Sequence, residues 1–417
     1  MSVRAISVVS MVAAAALTVT ACSANEQAAP PSSSTVSAPA TSAPVAAVSG
    51  KASVETPAAK LRADLTQLLT EHVYTAAIAL KTAVDAGGKM DDAGVKAAVA
   101  NLDANSVALS KAIGGAYPAA EAPFLESWRQ HIGFFVDYTL GKATKDQAKV
   151  DKAKTDLDGY RTSFGQLINS VVPELPADAV AEELKPHTAS IFATIDSLVA
   201  GDGQVFAKLT EAAGHMPMTA ATLAGGIAKN KGLEGDVNSK GAELRSGLTY
   251  LLTSHVDLAG IALAQAVAKG GDLNEPSVKA AVAAVDANSV ALSKAIGGAY
   301  PAAEAPFLES WRQHIGFFVD YTLGKATKDQ AKADKAKADL EGYRTSFGQL
   351  INSVVPELPA DAVAQELKPH TESVFATIDS LVAGDGQVFA KLAEAANHMP
   401  MTAATLAGGI AENKKLS

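Results

Sequence analysis

Apolar residues recur at helical spacing along most of the chain. Leu61, Leu65, Leu68, Leu69, Ala76 and Ala79 fall three, four and seven apart, the period of one helix face. Thr56-Pro57 ahead of them reads as an N-cap followed by a first-turn proline, and Gly87-Gly88 closes the run. A second helix is predicted from near Asp91-Asp92 to Gly114-Gly115, and a third from about Pro123 to Gly141. The capping-box pattern Thr144-Lys145-Asp146-Gln147 opens a fourth, which ends near Val172-Pro173. A fifth runs from Pro176 to Gly201. A sixth, capped by Asp202, fades at Gly225-Gly226. No stretch sustains strand alternation, so the fold class is all-α. Helices of roughly 20 residues are rods of about 30 Å, suited to an antiparallel bundle.

The pattern is written twice. Asp103 to Lys149 returns letter for letter as Asp286 to Lys332, and the register holds without insertion from Leu61/Leu244 to Glu234/Ser417. Two tandem antiparallel helical bundles of about six helices each are expected, at residues 57–231 and 241–417, joined by a link at 232–240.

The N-terminus has a different texture. Arg4 precedes an apolar run from Ala5 to Val19, too short for a comfortable membrane span, so residues 1–21 read as a secretory signal. Val19-Thr20-Ala21-Cys22 resembles the lipobox of bacterial lipoproteins. That resemblance implies cleavage before Cys22, lipidation (palmitate) of that cysteine, and anchoring at the extracytoplasmic face of the cell membrane. Residues 22–56 are rich in Ala, Pro, Ser and Thr and are expected to form an extended tether. No later segment reads as long enough in unbroken apolar sequence to span a membrane.

The net charge of −9 argues against a nucleic-acid partner. No nucleophile–base pairing, phosphate loop or nucleotide fingerprint occurs, so an enzyme is not expected.

Candidate chemistry rests on histidine placement. Each copy has four, on four different helices: His72, His131, His187 and His215, matched by His255, His314, His370 and His398. Each lies on its helix's apolar stripe, so all should point inward, and four helices of a bundle can converge on one point. The first copy carries His215-Met216-Pro217-Met218 and the second His398-Met399-Pro400-Met401. Met218 and Met401, three residues beyond the histidine, share its face and are candidate ligands; Met216 should point aside. Pro217 is expected to bend the helix so that His215 faces the other three. Glu183, Glu211, Glu366 and Glu394, each four residues before a histidine, are additional candidates. Imidazole with thioether fits copper, and to a lesser degree zinc. A b-type haem or a di-iron centre are the alternatives, because the chain lacks the Cys-x-x-Cys-His attachment and its Glu–His spacing is not the ferritin-like one. The expected role is buffering, sequestration or delivery of copper, with a metal-delivery partner. The remaining reading is a structural surface module whose histidines are core. The copies differ near the first histidine, where Glu71 and Tyr74 become Ser254 and Asp257, and beside the fourth, where Gly214 becomes Asn397 next to an unchanged His-Met-Pro-Met; such changed neighbours are poor ligand candidates.

The stretches Leu61 to His72, LDANSVALS from Leu102 to Ser110, FLESWRQHIGFFVDY from Phe124 to Tyr138, and Gly214 to Met218 resemble a secreted helical family of actinobacteria and some other Gram-positive bacteria. The resemblance covers nearly all of both repeats. Members often carry the label "copper amine oxidase", which implies copper and a quinone derived from tyrosine. The Asn-Tyr-Asp/Glu setting that such an oxidase needs is missing from the chain.

Overall fold

Caps set the helix limits in the computed structural model, which describes residues 50–416. The Thr56 hydroxyl accepts from Ala59 N, the Asp92 carboxylate from Gly94 N and Val95 N, and the Asp146 carboxylate from Lys149 N. The helices are α1 (Gly50–Glu55), α2 (Pro57–Asp85), α3 (Ala93–Ala116), α4 (Glu121–Thr144), α5 (Gln147–Val171), α6 (Ala177–Ala200), α7 (Val205–Gly214) and α8 (Met216–Lys231). The second copy supplies α9 (Lys240–Ala268), α10 (Pro276–Ala299), α11 (Glu304–Thr327), α12 (Gln330–Val354), α13 (Ala360–Ala383), α14 (Val388–Asn397) and α15 (Met399–Lys414). The architecture is all-α, two tandem helical bundles, as the periodicity predicts.

Several details differ from expectation. The third predicted helix, α4, runs past Gly141 to Thr144, and Asp146, not Thr144, caps α5. The sixth helix is two helices: α7 ends at Gly214 and α8 starts at Met216, because Pro217 has no N–H to continue the ladder. Nor does α8 stop at Gly225-Gly226. A Cβ on Gly226 would lie 2.4 Å from the Leu175 side chain, so glycine there admits a close neighbour inside a helix that runs on. Finally, residues 50–55, read as the end of the tether, are helical, with Val54 fully buried. Residues 1–49, with the expected signal and Cys22, lie outside the described residues.

The bundles share a seam. The Thr66 hydroxyl meets that of Ser246 at 2.7 Å, and Tyr74 faces Tyr250, Ser254 and Asp257. The near-constant residue offset means that α2 and α9 lie parallel. Equivalent residues make reciprocal bonds across the seam. Arg62 donates to the Val237 carbonyl at 2.6 Å, and Arg245 to the Val54 carbonyl at 2.7 Å. Val54 packs near Gly408 of α15, and Val237 near Gly225 of α8. The segment before each first helix thus plugs the other repeat's last helix. Each buried valine contributes roughly 1.5–3 kcal/mol. The core of the first repeat continues into Leu258, Ala262 and Ala281 of the second.

This seam also explains an unexpected property of α9. It is long and apolar enough to cross a membrane, yet 56% of its most apolar window is buried within the protein. A helix central to two bundles has apolar neighbours on most sides and reads as nearly continuous hydrophobic sequence.

Candidate functional site

His72 on α2 and His131 on α4 face each other, with their Nε2 atoms 3.3 Å apart and each residue 4% exposed. His255 on α9 and His314 on α11 repeat the pair at 3.3 Å. One Nε2 must donate and the other accept, a bond that two neutral rings in opposite tautomers can make. Trp128, one turn before His131, packs against both, with ring centroids 4.8 Å from His72 and 4.6 Å from His131. Tyr160 of α5 stacks on His131 at 5.0 Å. Burial, and secondarily neighbouring imidazoles, push these rings toward the neutral form. His131 and His255 fall to about 3, while His72 and His314 lie well below the ordinary value. His187 and His370 fall to about 4, through burial and then through His215 and His398 respectively.

Inward placement does not become coordination. Among the described residues, no group of three or more His, Cys, Asp or Glu side chains could hold a metal ion. This overturns the copper centre expected of His72, His131, His187, His215 and their copies His255, His314, His370 and His398. The zinc, haem and di-iron alternatives fall with it. The paired Nε2 atoms are turned to each other, and Trp128 and Tyr160 pack against the pair. Met218 and Met401 are 62% and 56% exposed, whereas Met216 and Met399 are each 2% exposed, the reverse of expectation. The break at His215 resets the helical phase. Glu183 faces Thr219 and Thr222, and Glu366 faces Thr402 and Thr405; both carboxyls are raised, chiefly by burial. Glu211 and Glu394 are exposed.

What the histidines do line is a cavity in each bundle. His72, His131 and His187 border one of about 370 Å³; His255 and His370 border one of about 700 Å³. Both volumes suit small-molecule sites, and the remaining walls are mostly aliphatic and aromatic. The walls are hollow because small residues face inward: Ala76, Ala77 and Ala79 on α2, and Ala259, Gly260 and Ala262 on α9. The wider cavity has Val285 for Leu102 and Val374 for Ile191, whereas Gly260 for Ala77 admits the Leu392 side chain, 2.6 Å from where a Cβ would stand. The two valine substitutions remove side-chain carbon from the same class of wall. The stripe of small residues was the sequence signal for these cavities, but alanine in a helix also reads as ordinary filler.

The positions where the copies diverge meet at the seam. Glu71 is 4% exposed and Asp257 1%. Glu71 accepts from Gln67 at 3.1 Å and from Asn105 at 3.3 Å, and Gln67 also donates to Asn397 across the seam at 2.7 Å. Burial raises Glu71 to about 7 and raises Asp257 well above the carboxylate range, with the Glu71 charge adding to the second.

No protein-family model, curated protein or solved structure matches the chain.

Proposed function

We propose that this protein is a carrier of apolar small molecules, held at the extracytoplasmic face of a membrane through a lipidated Cys22. The observation that carries the binding role is a largely apolar cavity within each bundle, floored by neutral imidazoles, at equivalent places in both repeats. Apolar walls of this extent lack partner atoms, and a hydrocarbon ligand supplies them. The signal-like run and lipobox-like Val19 to Cys22 support the location. Fluorescence of cis-parinaric acid tests the reading. The wild type should take up the probe, and the double variant Ala76→Phe/Ala259→Phe, with both cavities filled, should lose most of that uptake. Absence of uptake by the wild type, or undiminished uptake by a folded double variant, would overturn it.

A further inference from the structure

The two cavities share a wall. Ile78, Lys81, Asp85, Ile261 and Gln265 line both. Ile78 and Ile261 occupy equivalent positions in the two repeats, and both are half-buried, facing the space where the cavities meet. Six residues separate Ile78 from His72 on α2, and six separate Ile261 from His255 on α9. From those histidines to Lys81 and Gln265, nine and ten positions on, helical rise makes each arm about 14 Å deep along its helix. Because α2 and α9 run parallel, the arms lie side by side and point the same way. Their common end is polar: Lys81 bonds Asp85 at 2.5 Å, Asp85 is exposed, and Gln265 stands beside them. Lys269 and Glu275, 3.7 Å apart, extend this rim on the narrower arm. The far ends are neutral imidazoles among aromatic rings.

We propose that the cavities are two arms of one site and that its ligand is a two-tailed lipid. This rests on the carrier reading above. The headgroup lies at Lys81 and Gln265, and one acyl tail enters each bundle. The rim offers both cation and carboxylate, so it suits a headgroup without net charge, zwitterionic or sugar. A single-tailed ligand fills one arm and leaves the other without contacts. One long chain threaded through both would bend back on itself with its apolar middle against the Lys81–Asp85 pair, an unfavourable place for hydrocarbon.

The molecule carries its own reporters. Its two tryptophans, Trp128 and Trp311, flank the histidines at the two far ends. The protein is incubated with vesicles of phosphatidylcholine brominated toward the tail ends, re-isolated and weighed by native mass spectrometry. One lipid per chain and quenching of both tryptophans are expected. Trp128→Phe and Trp311→Phe should each leave the remaining tryptophan quenched. Ala259→Phe, which fills only the wider arm, should lower retention of the diacyl lipid about tenfold. It should leave single-chain fatty acid in the narrower arm, with circular dichroism confirming the fold. Two diacyl lipids per chain, quenching of one tryptophan only, or retention of fatty acid without diacyl lipid would overturn the proposal while sparing the carrier reading. Retention of neither would overturn both.

Discussion

His131 takes a proton only near pH 3, whereas the same ring in an unfolded chain is protonated near 6.5. The folded protein therefore binds fewer protons than the unfolded one throughout that window. Above pH 6.5 the ring is neutral in both states and contributes nothing; below it, stability drains away by about 1.4 kcal/mol per pH unit until the folded value is reached. His72, His187, His255, His314 and His370 add in the same direction. Urea unfolding from pH 7 to pH 5 should show a steep loss, and His131→Gln should flatten the slope by one proton. Glu71 acts in the opposite direction. Its carboxyl is raised to about 7, so its cost is nil below pH 4.5 and complete above 7, about 3 kcal/mol. Glu71→Gln keeps an oxygen for Gln67 and Asn105. It should raise stability at pH 8 by that order and leave pH 4 unchanged; equal effects at both would remove the ionisation argument.

At the scale of the helix, the junction at His215 decides which methionine matters. Met216→Ala should cost roughly 2–5 kcal/mol, and Met218→Ala, on the surface, within about 0.5 kcal/mol of nothing. Denaturant midpoints for the two variants check this directly. The same junction marks where sequence reading stops working. Helix ends were legible at Thr56, Asp92 and Gly201, where a cap or a closing glycine declared them, but not at Gly141 or Thr144, which both lie inside α4. The inward face of His72 and His131 was legible too, because each sits inside an unbroken helical period. Spacing arguments fail across a break, so Met218 was assigned the face that Met216 holds. Gly225-Gly226 misled for a related reason: glycine marks a helix end or a close approach, and only the position of Leu175 distinguishes them. The cavities were least legible, since a hollow is defined by atoms that several distant helices do not supply.

For the whole molecule the seam is decisive. Shared walls and the crossed plugs at Val54 and Val237 couple the repeats, so heat should unfold them in one transition, with calorimetric and van't Hoff enthalpies equal. Val54→Asp places a charge where α1 meets α15 and should lower that single transition by about 3 kcal/mol. Two resolved transitions, with only the second repeat shifted, would show that the coupling is weak. The reciprocal plugs have a further consequence, in descent. Each repeat lacks the segment that seals its own last helix and borrows it from its twin, an arrangement that closes under twofold symmetry. A one-repeat ancestor with its leading segment would have been a homodimer with exchanged arms. Gene duplication then turned one arm into the link at 232–239 and left the other free to lead back toward the N-terminus. Fusion also released the two halves from identity, which is how Glu71 and Asp257 could come to differ from their counterparts at an interface that once had to match itself.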